Sequence, residues 1–493
     1  MTRKLAATVL TGTACALALT ACAVGPNYHR PSAPPSAVFK EGQGWTPATP
    51  VQIANEQWWS IYDDPVLSSL EQQVAVSNQN LKAAVASYYA AREAVGVDRG
   101  TFFPSIGLGA SGTRSGGQGS LNSAVTGFLP SASTTRTVYD ANANASWDLD
   151  IWGKIRREVE SDVAKAQASA ADVAAARLSA QATLAEDYFQ LRAAEEELRL
   201  LKTSVQDYKV SLQIAQNQVN AGTTTLADVY SARTQLENTI AQENTVELSR
   251  AKFEHAIAVL IGKPPSELTL AQGEFTSTVP VVPTGVPSQL LLRRPDIAAS
   301  ERDMESANAE IGVAEAAWFP DLTLSGSIGY ESSALSTLIR ASNQVWSFGP
   351  SLAETVFDGG ARVAQIRENR ALYDSAVATY RETVLTAFQQ VEDDLATLNY
   401  LQTEDEQENA AVADAERSET LTLNQYRAGT VAYSSVIIAQ TTRLNDQITA
   451  LNVQSQRLVA SADLIDAIGG GWNSAQLRTH DEGVRQTLKS TVD

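Results

Sequence analysis

The chain has 493 residues, with 37 lysines and arginines against 56 aspartates and glutamates, and a formal net charge of −19. Such an acidic composition argues against a protein that binds nucleic acid, because contact with the phosphate backbone needs a basic surface. Only two cysteines and three histidines are present, so we expect no metal site and no small-molecule cofactor.

The N-terminus predicts a secretory signal peptide, residues 1–21, that the mature protein lacks. Two basic residues, Arg3 and Lys4, precede an apolar run that is too short to span a bilayer stably. The sequence Leu19-Thr20-Ala21-Cys22 resembles a bacterial lipobox, in which the cysteine is lipidated and becomes the first mature residue. An ordinary signal peptide with a chance cysteine is the alternative. The next residue is not Asp, which by resemblance to other bacterial lipoproteins favours sorting to the outer membrane.

The segment that follows, residues 22–54, is rich in proline and predicts a lipidated, extended N-terminal tether. No later stretch approaches eighteen consecutive apolar residues. A mature chain that spans a membrane must therefore do so as β structure, because only helices and closed sheets satisfy their backbone groups in lipid.

An internal duplication is visible in the spacing of the glycines. Three glycines separated by 69 and 40 residues recur at an offset of 207 residues: Gly153, Gly222 and Gly262, then Gly360, Gly429 and Gly469. A period of over 200 residues indicates a gene duplication and not a solenoid repeat. We predict a first structural repeat at 55–264, a linker at 265–292, a second repeat at 293–472 and a polar C-terminal tail at 473–493.

In each repeat two of these glycines stand 69 positions apart with no proline between them, which predicts a helix about 100 Å long. In the first copy, apolar residues recur every seven positions, which favours coiled-coil packing: Leu184, Leu191, Leu198, Val205, Leu212 and Val219. We expect Gly222 and Gly429 to close the tips of two helical hairpins. A further helix precedes each pair of strands, at Leu67–Val97 and Asp296–Ala316. The heptads alone do not exclude a soluble helical bundle.

Between the helices the apolar residues alternate with a period of two, which predicts four strands at about 104–114, 137–151, 320–331 and 344–357. Each strand has about ten residues with one apolar face, the length of a tilted transmembrane strand. A periplasmic sheet with one buried face is the alternative. Four strands cannot cross a bilayer alone, because both sheet edges would hold unpaired backbone groups in hydrocarbon. Two, three or four copies would give eight, twelve or sixteen strands, of which about twelve or more leave a lumen.

Three motifs are similar to those of the outer membrane factors of tripartite efflux pumps, the TolC-like family, in the lipoprotein branch typified by OprM and NodT. They are Cys22…Gly25-Pro26-x-Tyr28-x-Arg30-Pro31, Trp58-Trp59…Asp64-Pro65-x-Leu67, and Arg293-Arg294-Pro295-Asp296-Ile297…Ala307-Asn308-Ala309-x-Ile311-Gly312…Phe319-Pro320. The resemblance covers roughly residues 22–472. It implies an α+β membrane protein of the bacterial outer membrane. Its homotrimer would form a twelve-stranded transmembrane β-barrel, four strands per chain, continuous with a long periplasmic α-helical coiled-coil barrel.

The resemblance also implies a passive, gated duct in an efflux pump of the RND type. Its partners would be outer membrane lipid, a periplasmic adaptor (membrane fusion) protein and an inner-membrane transporter that supplies the energy. The adaptor would contact the hairpin tips at Gly222, Thr223, Gly429 and Thr430. An exported coiled-coil structural or adhesin lipoprotein without a pore is the alternative, but it has no use for four alternating strands. The chain has no motif of an enzyme, so we expect no catalysis.

A periplasmic gate at the tips is implied by the same resemblance. Asp228 and Tyr426 match positions that form an inter-protomer hydrogen bond in TolC-like proteins and help to hold the tunnel shut. The alternative is that they are two unrelated polar residues.

The second hairpin departs from the family pattern at the constriction. Ser435 and Ile438 stand where many relatives carry aspartates, and Thr441 replaces an arginine. We therefore expect an apolar ring at Ile438, with Val431 and Tyr433 as candidate members, in place of an acidic ring. An apolar constriction impedes ions by dewetting.

Overall fold

The structure, a computed structural model, describes residues 23–32, 39–41, 57–118, 133–276, 278–280, 282, 293–475 and 477. The predicted signal peptide and Cys22 therefore lie outside the described residues. The helices are α1 (Pro65–Ser77), α2 (Gln79–Gly100), α3 (Lys154–Asn220), α4 (Leu226–Leu260), α5 (Pro295–Ala316), α6 (Ala361–Arg427) and α7 (Tyr433–Ala467). The strands are β1 (Ser105–Gln118), β2 (Ser133–Asp148), β3 (Asp321–Ser332) and β4 (Gln344–Ala353).

The duplication is visible in the helix lengths. Helices α3 and α6 each have 67 residues, α4 and α7 each have 35, and α2 and α5 each have 22. The long helices and their returning partners begin and end at an offset of 207 residues, as the glycine spacing predicts. Each copy therefore builds one long helical hairpin.

Both hairpins turn through the same hydrogen-bonded motif. Gly222 and Gly429 have φ angles of +71° and +73°, a backbone conformation that side chains with a Cβ rarely adopt. The Thr223 N–H donates to the Gln218 carbonyl at 2.9 Å, and the equivalent bond after Gly429 is 3.0 Å. This bond defines a Schellman motif, which satisfies carbonyls left free where a helix ends. The glycines are thus required by the backbone of the turn.

The prediction of one continuous helix over Leu67–Val97 is wrong, because Asn78 separates α1 from α2. The Asn78 side-chain oxygen accepts from the Leu81 N–H at 3.0 Å and so caps the start of α2. Its amide nitrogen donates to the Leu260 carbonyl at 2.9 Å. Asn78 therefore separates α1 from α2, caps the start of α2 and donates a hydrogen bond to the last carbonyl of α4.

The four strands form one antiparallel sheet in the order β1-β2-β3-β4. Leu108 pairs with Ala143, Ala143 with Ile328, and Ile328 with Trp346. Residues in such a row share a face of the sheet, so the period-two pattern of the sequence becomes one apolar and one polar face.

Strand β2 ends at Asp148, before the predicted boundary near residue 151. The reason is a helix cap: the Asp150 carboxylate accepts from the N–H groups of Ile155 and Arg156 at 3.0 and 3.1 Å. It also accepts from the Arg156 side chain at 3.0 Å. The alternation that continues past Asp148 in the sequence thus belongs to the start of α3.

The chain divides into two compact units that do not follow the duplication. The first is Met1–Pro31, Tyr89–Gln167 and Glu301–Ala378, and it contains the sheet. The second is Ser32–Tyr88, Ala168–Ser300 and Thr379–Asp493, and it contains both hairpin tips. Each repeat contributes to both units. None of the helices in the described ranges carries an apolar stretch long enough to span a bilayer.

The heptad positions of α3 form the core of the second unit. Leu184 and Leu191 are fully buried, and Leu198 and Val205 are nearly so. Leu201, three positions after Leu198, is also fully buried. Toward the tip the same positions, Leu212 and Val219, are half-buried. The coiled-coil pattern therefore predicts the buried face of α3 correctly.

Candidate functional site

One face of the sheet carries large apolar side chains that are exposed. Leu108 is 87% exposed and Trp346 is 74% exposed. Other exposed apolar residues on this face are Ile106, Ile328, Phe348 and Leu352. A contiguous apolar surface of this kind marks contact with a membrane or with another protein.

The opposite face carries hydrogen-bonded polar side chains. The Asn142 amide donates to Asp140 at 2.6 Å, and the Asn144 amide donates to Asn142 at 3.0 Å. The Thr323 hydroxyl donates to Asp148 at 2.6 Å. Apolar and polar faces on strands of this length are the pattern of a transmembrane strand that has lipid on one side and a water-filled lumen on the other.

Both edges of the sheet are open. Within the described residues, β1 pairs only with β2 and β4 pairs only with β3. The outer backbone groups of β1 and β4 therefore need other partners if the sheet lies in lipid.

Aromatic side chains cluster where the strands meet the helices. The Trp152 ring stacks on Phe319 with centroids 4.7 Å apart, and its indole N–H donates to the Pro320 carbonyl at 3.0 Å. The Trp147 indole N–H donates to the Phe102 carbonyl at 2.8 Å. Aromatic residues at this position form the girdle that lies at a membrane–water interface.

The segment after Cys22 is docked on the first unit by Arg157. This buried guanidinium donates to the Val24 carbonyl at 3.1 Å, to the Gly25 carbonyl at 3.2 Å and to the Asn27 side chain at 2.9 Å. It also pairs with Glu160 at 2.7 Å. The expectation of a tether thus needs correction for residues 23–31, which are held in place on the first unit.

Two of the three family-like motifs meet at this docking surface. A Cβ atom on Gly25 would lie 2.4 Å from the Gly312 Cα, and one on Gly312 would lie 2.9 Å from Arg157 Cγ. The Asn308 amide donates to the Pro26 carbonyl at 3.0 Å. The motif glycines are needed because the two backbones approach too closely for side chains.

The remaining motif residues join helix ends in the second unit. Arg294 donates twice to Asp296, at 3.0 and 2.6 Å, and once to the carbonyl of Ala467, the last residue of α7, at 3.0 Å. Asp64 caps the start of α1 and accepts from the Tyr188 hydroxyl at 2.6 Å. These motif residues therefore position helix ends through hydrogen bonds to charged side chains.

At the tips, Asp228 and Tyr426 have different partners within the chain. Asp228 accepts from the Thr224 hydroxyl, and the Tyr426 hydroxyl donates to the Gln218 side chain. Burial raises the pKa of Tyr426 above its ordinary value. The predicted hydrogen bond between them joins two protomers and so stays a prediction.

The candidate ring residues differ in exposure. Ile438 is 66% exposed, whereas Tyr433 is only 3% exposed and its ring lies 5.3 Å from that of Tyr426. Tyr433 is therefore excluded from an apolar ring at the lumen, because it packs inside its own chain. Val431 and Ser435 are half-buried.

Two arginines were not indicated by the sequence pattern: the buried Arg157 and Arg443 of α7, whose side chain is 14% exposed. Arg443 lies in a group of polar side chains between the hairpins, with its Nε atom 2.6 Å from Glu419. The signal available in the sequence was an interruption of the apolar pattern in the second copy, but the pattern does not show which helices meet there.

Comparison with known proteins identifies the family. A sequence model described as outer membrane efflux protein matches residues 70–263 and 286–470, well over half of the chain. The chain belongs to this family. The first matched segment falls in the first repeat, and the second covers the end of the linker and nearly all of the second repeat.

Known relatives cover nearly the whole chain. The outer membrane protein OprJ of Pseudomonas aeruginosa is 28% identical over 468 residues, which are 94% of this chain and 95% of OprJ. The cation efflux system protein CusC of Escherichia coli is 27% identical over 460 residues, 93% of this chain and 97% of CusC. The similarity therefore includes both repeats.

Solved structures show the same fold. The outer-membrane channel OprN matches with a TM-score of 0.83 at 28% identity, over 92% of this chain and all 100% of that chain. The MtrE outer membrane channel of Neisseria gonorrhoeae, solved in an open state, matches with a TM-score of 0.78 at 27% identity, over 92% and 99%. The predictions of a TolC-like fold, of an efflux channel and of an outer membrane location are confirmed.

Proposed function

We propose that this chain is the outer membrane duct of a tripartite efflux pump and that it works as a homotrimer. The observation that supports this most strongly is the four-stranded sheet with one exposed apolar face, one polar face and two open edges. A sheet of this kind is stable in lipid only if it closes, and copies of the chain supply the missing strands. With three copies the wall has about twelve strands, enough for a water-filled lumen.

The polar face would line the lumen. Its hydrogen-bonded Asp140, Asn142 and Asn144 would offer polar, solvated groups to a passing solute. A duct of this type is passive, so an inner-membrane transporter of the RND type must supply the energy, and a periplasmic adaptor must join the two. The adaptor would contact the tips at Gly222, Thr223, Gly429 and Thr430, where the backbone turns expose short side chains.

The N-terminus would anchor the chain through a lipid on Cys22, which would be its only covalent cofactor. The neighbouring Ala23 lies against Gly153, and the Val24 N–H donates to the Trp152 carbonyl at 3.0 Å. The lipid would therefore start beside the aromatic girdle, at the depth of the membrane interface. Docking by Arg157 fixes this position.

The periplasmic gate would involve Asp228, Tyr426, Ser435 and Ile438. In the trimer, Asp228 of one protomer would accept a hydrogen bond from Tyr426 of the next, in exchange for the bonds that both make within the chain. The exposed Ile438 side chains of three protomers would form an apolar constriction.

Conductance of the purified, acylated protein in a planar lipid bilayer tests this proposal. We expect discrete ion-conducting events, and migration on a denaturing gel that changes when the sample is heated, as for a folded barrel. A stable water-soluble monomer that never conducts ions would overturn the proposal. It would favour the exported coiled-coil adhesin, which no observation on the described residues supports.

A further inference from the structure

The end of the sheet farthest from the helices, here called the distal end, is positively charged. The two segments that form or connect the strand ends there, residues 112–139 and 332–345, contain Arg114, Arg136 and Arg340 but no aspartate or glutamate. The whole chain, in contrast, has a net charge of −19. Such a local excess of positive charge favours an anionic partner at the distal end.

Two tyrosines place the distal end at a membrane interface. Tyr330 is two residues from Ile328, and Tyr139 pairs with Ser332, so both tyrosines lie on the apolar face of the sheet. Along β2, Tyr139 is eight residues from Trp147, which is about 27 Å along the strand and about 20 Å across the membrane at a tilt of about 40°. The apolar band of such a sheet is about 25 Å tall between two aromatic girdles. The arginines beyond the tyrosines therefore lie at the level of the lipid headgroups.

A polar cavity lies at the distal end. The pairing of β2 with β3 ends at Tyr139 and Ser332, whereas β2 pairs with β1 as far as Ser133. The first residues of β2 thus extend beyond β3, and the loop 333–343 encloses with them a cavity of about 430 Å³. This is the size of a site for a small ligand. Polar side chains that line it are Arg136, Glu331, Ser332, Thr337, Arg340 and Asn343.

The loop that covers the cavity is held by its own contacts. The hydroxyl oxygens of Ser332 and Thr337 lie 2.7 Å apart, and the Asn343 amide donates to the Thr337 carbonyl at 2.7 Å. The Leu338 side chain is buried beneath the loop backbone. The cavity is therefore formed before a ligand arrives, which reduces the entropy cost of binding.

One positive charge in the cavity is left without a partner. Arg136 pairs with Glu331 at 3.4 Å, and both side chains are exposed. Arg340 is also exposed and makes no ion pair with any residue that the structure describes. Two guanidinium groups and one carboxylate leave a net charge of one. Arginine is the residue that suits phosphate best, because its planar N–H groups match two phosphate oxygens at once.

We propose that this cavity binds a phosphate group carried by a lipid of the outer leaflet. The helices of this outer membrane channel lie on the periplasmic side, so the distal end reaches the outer leaflet. The loop also exposes two apolar side chains, Leu335 at 66% and Ile339 at 80%. These side chains suit contact with acyl chains, which a free phosphate lacks. The proposal concerns the membrane around the channel and goes beyond the duct function.

Lipid binding to the full-length, acylated protein in detergent tests the proposal, with diphosphoryl lipid A as the probe and native mass spectrometry as the readout. We expect Arg340→Gln to weaken binding roughly tenfold, as for the loss of one hydrogen bond to a charged group. We expect Glu331→Gln to strengthen binding, because it removes the only carboxylate of the described cavity lining. Arg417→Gln is the matched control, since Arg417 of α6 is equally exposed and pairs with Asp414 at 3.1 Å; it should change nothing.

The outcomes separate this proposal from the duct function. Equal binding of lipid A by the wild type and Arg340→Gln would overturn the proposal, as would weaker binding by Glu331→Gln. If Arg340→Gln does not fold, Glu331→Gln decides. Inorganic phosphate is the second probe: if it binds as tightly as lipid A, the lipid is not the source of the phosphate group and the proposal is wrong. A wild type that conducts but fails these tests leaves the duct function intact, whereas a wild type that never conducts refutes the duct.

Discussion

Glu71 of α1 is a fully buried carboxyl, at 0% exposure, with no hydrogen-bond partner for either oxygen in the described part of the chain. Burial raises the pKa of Glu71 from its ordinary 4.5 to about 9. At neutral pH the folded protein therefore holds Glu71 protonated, whereas the unfolded chain exposes it as an ion.

The free-energy difference follows from the two pKa values. Between pH 4.5 and about 9 the folded state binds more protons at Glu71 than the unfolded state does. Stability consequently falls as pH rises through this window. Each pH unit between 4.5 and neutral pH is worth about 1.36 kcal/mol. Burial of Glu71 as a neutral carboxyl therefore lowers the free energy of unfolding by about 3 kcal/mol at neutral pH.

The substitution Glu71→Gln removes this cost, because the amide has nearly the same shape and is neutral at every pH. We expect the detergent-solubilised variant to melt several degrees above the wild type at neutral pH and at the same temperature near pH 4. The substitution Glu93→Gln, at an exposed position of α2, is the matched control and should change neither value. A variant that melts at or below the wild-type temperature at neutral pH would refute the reasoning, as would a shift that is the same at both pH values.

Three further predictions follow from the docking surface, the lumen face and the tips. Gly312→Ala should destabilise the first unit by about 1–3 kcal/mol, since the new Cβ would lie 2.9 Å from Arg157 Cγ; faster proteolysis of the N-terminal segment would show this, and unchanged protection would contradict it. The double variant Asp140→Asn, Asp148→Asn should reduce the preference of the open channel for cations, measured as a smaller reversal potential in a salt gradient; an unchanged potential would mean that these carboxylates do not face the lumen. Multivalent cations should inhibit the wild type only weakly and should inhibit Ile438→Asp strongly, whereas submicromolar block of the wild type from the periplasmic side would contradict an apolar constriction.

The helical hairpins were predictable from the sequence because local rules determine them. A long run without proline and with few glycines leaves the helix uninterrupted, and a glycine at Gly222 or Gly429 supplies the positive φ that the turn needs. The two faces of the sheet follow from the same kind of rule, since alternation fixes which residues of a strand share a face.

The contacts that refine the site were not predictable, because they join residues far apart in sequence. Nothing in the spacing indicates that Arg157 binds the backbone of Val24 and Gly25. Tyr433 is a candidate for the apolar ring by its position near the tip, but its side chain is buried and its ring lies against Tyr426. A helical pattern likewise gives no sign that Asn78 divides a helix by bonding to another one.

If the chain forms the proposed duct, copies of the chain close the open edges of the sheet. The test is disulfide cross-linking: a cysteine at Ser347 of β4 is combined with a cysteine placed in turn along β1 in the Cys22-bearing mature protein. We predict that at least one pair gives a covalent trimer on a denaturing gel after oxidation in membranes, and that reduction returns it to monomer. If every pair along β1 stays monomeric while the protein is folded in the membrane, β1 and β4 do not meet between copies and the account is contradicted.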